Sequence, residues 1–561
     1  MKRIFKSVLA VASVLLLMTS CTSKFEDMNV SPNSPSAGTV DPKFEFQYAV
    51  SRSISYRNTY QSGEQITIAT FCEYDANSTQ SASDYHMTNQ DVSHAWDQPY
   101  TCLTNLNNII RTYANNEDGN TNSNVGYMAM VWKVWTMLRV TDFFGDIPYT
   151  EAASAEATLP KYDTQKEVYN AMFSQLDEAV AGLQNGKGNI GSYDLIYKGD
   201  AKKWIKFANT LRLRMALRIY DADASTAKTQ AAKALSDGII SSADEEAMMA
   251  MGDESNSDYS WNPLYYGRGS SHSTVHMCQS YYNIMTNLGG IDWPVAGSDA
   301  AKNSNVRAEV INAVEHPAKV DPRGLVHFGV VGERGNVDAS KLGHWRGSEP
   351  GWASSSTLGG EFLYGSTDND QNYSAIGPFY YATAARPWPI IKYAEACFLK
   401  AIAAERGISG AGEAKANYEE GIRADMTYLG FNEDVIKAYL ASEDTNVNGT
   451  SVKWGHNVGS NNTAMDKIIT QKWIAGFIEN AYEAWSDHRQ YHKPVLIPFA
   501  HVTADFQRTP ADVTNNTPNA YIKRGFYPAG EQTTNGENLQ EAISRLGGSD
   551  NIQKNVWWDV D

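Results

Sequence analysis

Apolar residues recur every three or four positions along much of this chain, which is the spacing of one face of an α-helix. In the clearest stretch that face consists of Met128, Val131, Trp132, Trp135, Leu138 and, further along, Phe143. A second stretch adds terminal signals, because Thr164 and Glu167 form a capping box and Gly186 follows the last apolar position. These patterns predict helices that bury one apolar face.

The same spacing continues in four more stretches and predicts a mainly α-helical protein built from antiparallel helix pairs. Two of the predicted helices cover 201–223 and 226–238. Residues 389–406 and 464–489 are each predicted to form one helix. No clean repeat of fixed length is visible.

The middle of the chain differs from these helical stretches. Residues 261–365 hold 15 of the 42 glycines, about twice the density of the whole chain, and the helical spacing fades there. Long irregular segments of folded proteins are usually either functional or disordered. Several Trp and Tyr residues lie among the Gly, Ser, Asn and Arg, which favours function. We therefore predict a loop-rich ligand region at about 261–385.

The first residues have the layout of an export signal. A basic start, MKRIFK, precedes the apolar run SVLAVASVLLLM, which is too short for a comfortable membrane span. Ser20 before Cys21 resembles a bacterial lipoprotein processing site, although Met18 departs from the usual leucine. We predict a signal peptide at 1–20 and a lipidated tether at 21–42, with Cys21 carrying acyl chains. The alternative is a plain secretory signal with a chance cysteine.

Charge and cysteine content narrow the function further. With 47 basic and 64 acidic residues the net charge is −17, and removal of three cations with the signal peptide makes it −20. Such a chain repels nucleic acid, which is excluded as a partner. Cysteines at 72, 102, 278 and 397 match no metal-binding spacing. Cys102 and Cys397 fall in helical patterns and are predicted to be buried thiols.

Five segments resemble the SusD/RagB family of Bacteroidetes outer-membrane lipoproteins, and they occur in the family's order. They are Asn29-Val30-Ser31-Pro32-Asn33, DFFGDIPY at 142–149, KWIKFANTLRLR at 203–214, RPWPIIKYAE at 386–395, and 471–485 from Gln471-Lys472-Trp473 to Trp485. The resemblance implies a SusD-like domain over 43–561, in which degenerate tetratricopeptide-type helix pairs support the loop-rich region.

The resemblance also implies a function. The protein would be anchored in the outer membrane, face the cell exterior, and cover a SusC-like TonB-dependent barrel. It would capture oligosaccharides, or peptides in the RagB branch, and pass them to the barrel. No covalent chemistry, cofactor or metal is expected.

The candidate ligand-binding residues follow from sugar chemistry. Aromatic rings cover the C–H face of a sugar, and polar side chains bond its hydroxyl rim. For each ring the alternative is packing or contact with the transporter. The resemblance contributes Trp96, expected in a loop before the helix at 103–113. The candidates are Tyr85, Trp96, Trp261, Tyr266, Trp293, Trp345, Arg346 and Trp352.

Motifs for enzymes are scarce. The sequence contains no GxSxG, HExxH, GxGxxG or phosphate-binding loop. Asp368-Asn369-Asp370 begins like a calcium loop but lacks the later Gly and Glu. No catalytic or metal-binding residue is therefore predicted. The open alternatives are a lipid-anchored helical glycoside hydrolase, a peptide-binding subunit of the RagB type, and a structural subunit without a ligand.

Overall fold

The part of the chain that the structure describes begins at residue 41, so it excludes the predicted signal peptide and all but the last two residues of the predicted tether. The computed structural model describes residues 41–54, 64, 67–76, 84–114, 122–154, 157–252, 262–266, 275–294, 308–332, 338–351, 372–500, 502–503 and 505–560. Cys21, Trp261 and Trp352 therefore lie outside the described residues, as does Asp368-Asn369-Asp370, and the predictions for them stay predictions.

The N-terminal half of the fold is a row of helices in which neighbours along the chain pack together. The stretch from Met128 to Phe143 and the existence of two helices after residue 200 are confirmed, although the helix predicted over 201–223 ends at Arg218. The helices are α1 (Pro42–Ser53), α2 (Asn89–Ile109, continued as a π-helix at Ile110–Ala114), α3 (Ser123–Phe144), α4 (Gln165–Asn185), α5 (Ala201–Arg218) and α6 (Ala224–Asp237).

The ends of α4 show what the capping signals do. Thr164 and Glu167 form the predicted capping box, in which each side chain bonds the other residue's backbone N–H. Gly186 ends the helix, but its backbone is extended, with φ −71°, rather than left-handed. Its function is to leave space, because a Cβ there would lie 2.0 Å from Oδ1 of Asn124 on α3.

The C-terminal half repeats the pairing, and α8 packs on α9, on α11 and on α5. Its longer helices are α7 (Gln279–Met285), α8 (Tyr393–Glu405), α9 (Ala414–Tyr428), α10 (Glu433–Ala441), α11 (Ala464–Ala475), α12 (Ala481–Tyr491), α13 (Ala529–Thr534) and α14 (Gly536–Arg545). Single helical turns occur at Gly191–Tyr193, Ala243–Glu245, Pro263–Tyr266, Leu288–Gly290, Ala308–Ile311, Gly324–His327, Ala339–Lys341, Pro378–Tyr381, Pro510–Thr514 and Pro518–Ala520.

Two predicted helix bounds are wrong. The prediction for 389–406 fails at its start, because strand β2 (Trp388–Ile391) pairs antiparallel with β1 (Ala247–Met249) and the helix begins only at Tyr393. Proline lacks the N–H of a helix interior but is tolerated on an edge strand, as Pro389 is here. The prediction for 464–489 is wrong because α11 ends at Ala475 and α12 starts at Ala481. Between them Ile478 is left-handed, with φ 51°.

The predicted loop-rich region is irregular in its described parts. Between α7 and the turn at Pro378–Tyr381, those parts hold single helical turns and isolated bridges. The family resemblance and this architecture agree on a mainly helical, SusD-like fold with tetratricopeptide-type pairing. None of the helices in the described residues is long and apolar enough to cross a membrane.

A buried network of ion pairs joins the two halves. Arg214 of α5 donates two parallel hydrogen bonds, of 2.8 and 2.9 Å, to the carboxylate of Glu395 of α8. Arg218, one turn later, lies 3.2 Å from Asp142 of α3 and 2.8 Å from Glu483 of α12. Burial alone would raise the pKa of Glu483, but Arg214, Arg218 and a nearby lysine hold it at about 2. The network therefore fixes four helices around one centre.

Another buried arginine, Arg323, connects the loop-rich region to the helices. Arg323 bonds Asp321 in its own loop through Nε and Nη2, at 3.0 and 2.7 Å. It also reaches Asp425 of α9 at 3.0 Å and Tyr439 of α10 at 2.8 Å. Its last partner is Gln471 of α11, at 2.6 Å. Arg323 therefore ties the loop-rich region to α9, α10 and α11.

The described cysteines agree with the predicted chemistry. Cys102 and Cys397 are confirmed as buried, and neither forms a disulfide. Burial raises the pKa of each thiol to about 12, which keeps it protonated and unreactive.

Removing one partner of the buried network is expected to be costly. Arg214→Met leaves the carboxylate of Glu395 buried without its cation, and breaking such a pair costs about 3–5 kcal/mol. Urea unfolding followed by circular dichroism measures the loss. Lys415→Met is the control, since Lys415 forms an exposed pair with Glu419 at 3.8 Å, worth about 0.5 kcal/mol or less. Equal losses in the two variants would contradict a structural function for the network.

Candidate functional site

Five chain segments meet in a junction at the base of the loop-rich region. Isolated bridges join Asp75 to Met277, His276 to Ala375, Cys278 to Ser348, and Phe328 to Ile376. Several of the candidate ligand-binding residues lie in or beside these segments. We call this set of segments, 74–76, 276–280, 328–329, 345–348 and 374–376, the loop junction.

Arg346 and Trp345 belong to the loop junction, and both are buried. The guanidinium of Arg346 lies 4.7 Å from the ring centre of Tyr373. The indole N–H of Trp345 donates to the carbonyl of Phe328 at 3.2 Å, and its ring packs against Tyr282. Trp345 is thus positioned as a packing residue, while a ligand contact by either residue stays a prediction.

Trp293 lies one layer further out than Trp345. Its ring meets Trp345 edge to face, with centres 5.5 Å apart. On its other side it stacks on the exposed imidazole of His316 at 4.4 Å and 13°. The buried indole N–H of Trp293 has no hydrogen-bond partner among the described residues. The side chain of His316 therefore covers one face of the Trp293 ring.

Two other candidate ligand-binding residues are Tyr85 and Tyr266. Tyr85 is buried and stacks on Phe499, with ring centres 4.1 Å apart. Tyr266 ends the helical turn that begins at Pro263, and its side chain lies outside the described parts. Ligand binding by either residue stays a prediction.

Trp96 lies in a place the sequence did not predict. It was expected in a loop, but it lies inside α2, which starts at Asn89. The signal for that start is Thr88, whose side chain forms a capping box with Asp91. That pattern could have been found in the sequence. The helix places Trp96 with its ring packed edge to face on Phe144, and 5% of the residue is exposed.

Trp96 lines an open cleft of about 570 Å³. One wall is a face of α2, the second is the loop after α3, and the third is α13 near the C-terminus. We call it the α2–α13 cleft. The lining residues are Trp96, Asp97, Tyr100, Thr101, Thr104, Pro148, Ala152, Ala153, Thr158, Pro160, Glu531, Thr534 and Asn535. This volume is within the range of small-molecule sites.

Two carboxylates line the α2–α13 cleft. Burial raises the pKa of Asp97. Burial also raises the pKa of Glu531, while hydrogen bonds from Tyr162, at 2.5 Å, and from Trp96 lower it and repulsion from Asp97 raises it. Sequence reasoning missed this pair because Asp97 and Glu531 lie near opposite ends of the chain and neither belongs to a motif.

The α2–α13 cleft offers the chemistry that sugars need. In the cleft, the half-buried ring of Tyr100 supplies apolar surface, and the buried ring of Trp96 packs against it with ring centres 4.8 Å apart. The hydroxyls of Thr101 and Thr104 and the two carboxylates supply hydrogen-bonding groups around them. Groups of three or more side chains arranged to hold a metal ion do not occur among the described residues.

The helical scaffold thus carries an open cleft beside α2 and a junction of loops. Two family models match the chain, "Starch-binding associating with outer membrane" over residues 42–292 and "Susd and RagB outer membrane lipoprotein" over 362–559. The chain belongs to the SusD/RagB family.

Solved structures agree with this assignment. A SusD homolog from Parabacteroides distasonis is 27% identical, with a TM-score of 0.78, covering 93% of this chain and 98% of its own. A chitin-binding SusD homolog from Flavobacterium johnsoniae is 27% identical, with a TM-score of 0.71 and coverages of 92% and 98%. A SusD homolog from Bacteroides uniformis is 26% identical, with a TM-score of 0.67, and the match covers 93% of this chain and 99% of its own. No protein of curated function matches the chain.

Two further carboxylates are enclosed at the loop junction. Burial raises the pKa of Glu73 and of Asp75 to about 8 each. Glu73 accepts a hydrogen bond from the backbone N–H of Ile497 at 3.1 Å, and Asp75 accepts one from Thr70 at 2.9 Å. One oxygen of each carboxylate has no partner among the described residues. Both groups therefore hold a proton at neutral pH.

This arrangement predicts a stability that falls as the pH rises. Between their unfolded pKa values, about 4, and about 8, Glu73 and Asp75 keep in the folded state a proton that the unfolded chain has released. Each group then lowers the free energy of unfolding by up to about 1.4 kcal/mol per pH unit. Urea unfolding from pH 5 to 9 measures the slope, and Glu73→Gln should flatten it. An unchanged slope in this variant would contradict the enclosed, protonated state of Glu73.

Proposed function

We propose that this protein binds oligosaccharides at the cell surface and delivers them to a SusC-like TonB-dependent barrel. The observation that carries the proposal is the open α2–α13 cleft, with aromatic walls and a polar rim, in a member of the SusD/RagB family. Ring faces and hydroxyl-bonding groups around one space are the complement of a sugar chain. Trp293, which packs on Trp345 of the loop junction, offers a second ring once His316 moves aside.

The relatives support the choice of ligand. The homolog from Flavobacterium johnsoniae, 27% identical, is a chitin-binding protein, and a further chitin-binding protein is 26% identical. Chitin is a polymer of neutral sugars, so an aromatic binding surface suits it. A glycan ligand also agrees with the net charge of −17, which disfavours anionic polymers.

Anchoring is part of the proposal. Cys21 becomes the first mature residue and carries acyl chains that hold the protein on the outer membrane, facing the exterior. Several acyl chains give stable attachment where one gives only marginal binding. The tether at 21–42 then leads into α1, whose first turn is capped by Asp41.

A second candidate function is glycoside hydrolysis, because Asp97 and Glu531 place two carboxylates in one aromatic cleft. Glycosidases use such a pair, with one group kept protonated by a raised pKa. Incubation of the purified protein with oligosaccharides separates the two functions. Saturable binding without products supports capture, and released sugars support hydrolysis.

Tyr100 provides the test of the α2–α13 cleft. Tyr100→Ala should weaken binding of the best glycan from an array by about tenfold or more, because aromatic anchors carry most binding energy. Titration calorimetry measures the affinity, and Trp454→Ala is the control, since Trp454 is a partly exposed ring that packs on Tyr418 outside the cleft. Unchanged affinity in Tyr100→Ala, with loss in Trp293→Ala, would transfer the site to the loop junction. A peptide as the best ligand would favour the RagB-type function.

Cys21 provides the test of anchoring. Cys21→Ala should move the protein from the membrane fraction to the soluble fraction and leave its glycan affinity unchanged, because the substitution removes only the acylation site. Cys397→Ala, which changes a buried thiol of α8, is the control and should stay with the membrane. Retention of Cys21→Ala in the membrane fraction of cells without the barrel would contradict the assignment.

A further inference from the structure

The outer side of α1 carries aromatic rings. Phe44 and Tyr48 lie one turn apart on this side and are 50% and 48% exposed, and among the described residues no other Phe, Tyr or Trp is classed as exposed. Tyr193, which is half-buried, meets Phe44 edge to face with ring centres 5.1 Å apart. We call these three residues the α1 patch. Apolar surface grouped on one face marks an interaction site.

The rings of the α1 patch face outward because the inner side of α1 is already filled. Phe46, Ala49, Val50 and Ser53 of this helix are buried. The indole N–H of Trp132 on α3 donates to the hydroxyl of Ser53 at 2.8 Å. The helix is therefore fixed on the scaffold and cannot rotate to bury its outer rings.

Cationic side chains lie beside these rings. The ammonium of Lys43 is 5.0 Å from the ring centre of Phe44 and 5.2 Å from that of Tyr193. The guanidinium of Arg52 is 5.7 Å from the ring centre of Tyr48. A sugar would need the ring faces, which these side chains partly cover. Rings flanked by Lys and Arg that reach toward headgroups are instead typical of protein surfaces at a membrane interface.

The position of α1 in the chain points to the same partner. The helix begins at Pro42, directly after the predicted tether, and Asp41 lies 20 positions after Cys21. A chain of 20 residues spans at most about 70 Å. At a rise of about 1.5 Å per residue, both exposed rings of α1 lie within about 10 Å of the start of the helix. The α1 patch is therefore next to the point where the tether joins the fold.

We propose that the α1 patch docks on the lipid surface of the membrane in which Cys21 is anchored. The proposal rests on the anchoring part of the proposed function and is independent of the glycan ligand. The acyl chains hold the protein at the membrane, and shallow insertion of the rings fixes which face of the protein is turned toward it. Three rings alone bind too weakly to replace the acyl chains.

The test uses the full acylated chain in vesicles of phosphatidylcholine and phosphatidylethanolamine without a barrel. A fluorophore on Arg52→Cys reports on the α1 patch, and one on Val458→Cys, exposed in the loop before α11, is the control. The described native thiols are buried and do not compete for the label. Spin-labelled lipid quenches a fluorophore at the interface. We expect quenching at position 52 to exceed that at position 458 by about twofold or more.

Matched variants test whether the rings cause the quenching. Phe44→Ser combined with Tyr48→Ser should lower quenching at position 52 to the level at position 458, because the rings no longer insert. Val314→Ser combined with Val447→Ser removes two other exposed apolar side chains and should leave the quenching unchanged. A thermal melt confirms that each variant is folded.

The outcomes separate the docking from the anchoring. Equal quenching at the two labelled positions, or quenching that survives the loss of both rings, overturns the docking while the anchoring stands. Failure of the acylated chain to float with the vesicles contradicts the anchoring and the docking with it. Shielding of position 52 from aqueous iodide only in membranes that contain the barrel assigns the face to the barrel and overturns the lipid surface as its partner.

Discussion

The buried ion pairs around Arg214 and Arg218 are the constraint on which the rest of this structure depends. A charge removed from water is tolerated only when its partner and hydrogen bonds are in place. The partners here come from helices far apart in sequence, α3, α8 and α12. No single helix of this group can shift without exposing a charge to an apolar interior. The N-terminal and C-terminal halves are therefore held as one frame.

This constraint also explains what the family-like segments do. Asp142 lies in DFFGDIPY, Arg214 in KWIKFANTLRLR, Glu395 in RPWPIIKYAE, and Glu483 in the segment that ends at Trp485. Four segments that looked like unrelated signatures thus supply the partners of one network. The segments that identify the family specify its frame. Ligand specificity is left to the cleft and the loops, which the same frame positions through contacts such as those of Arg323.

Helical spacing predicted most of the frame because helix faces are local features. The stretch from Met128 to Phe143 reads directly as α3, and Thr164 marks the start of α4. The helix predictions failed where contacts between residues far apart in the sequence decide the secondary structure. The helix predicted over 389–406 fails at residues 389–391, which belong to the strand paired with β1, and only the partner strand determines that outcome. The placement of Asp97 and Glu531 in one cleft depends on folding across the whole chain and has no local signal.

The candidate ligand-binding residues show the same difference between what local sequence predicts and what long-range packing decides. Residue type selected Trp345 and the family resemblance contributed Trp96, yet Trp345 packs in the loop junction whereas Trp96 lines an open cleft. Composition predicts which side chains can bind a sugar ring, but burial decides which rings have a free edge. That information depends on packing between distant segments, so the sequence gives the candidates without ranking them.

The carboxylates of this acidic chain illustrate three ways to deal with a negative charge away from bulk water. Glu395 and Glu483 are paired with arginines in the interior. Glu73 and Asp75 are enclosed without a cation, and burial raises the pKa of each to about 8, so that a proton neutralises them. Asp97 and Glu531 line an open cleft, where Glu531 accepts a hydrogen bond from Tyr162. Only this last solution leaves the charge available to a molecule from outside, and it occurs where aromatic rings already line the wall.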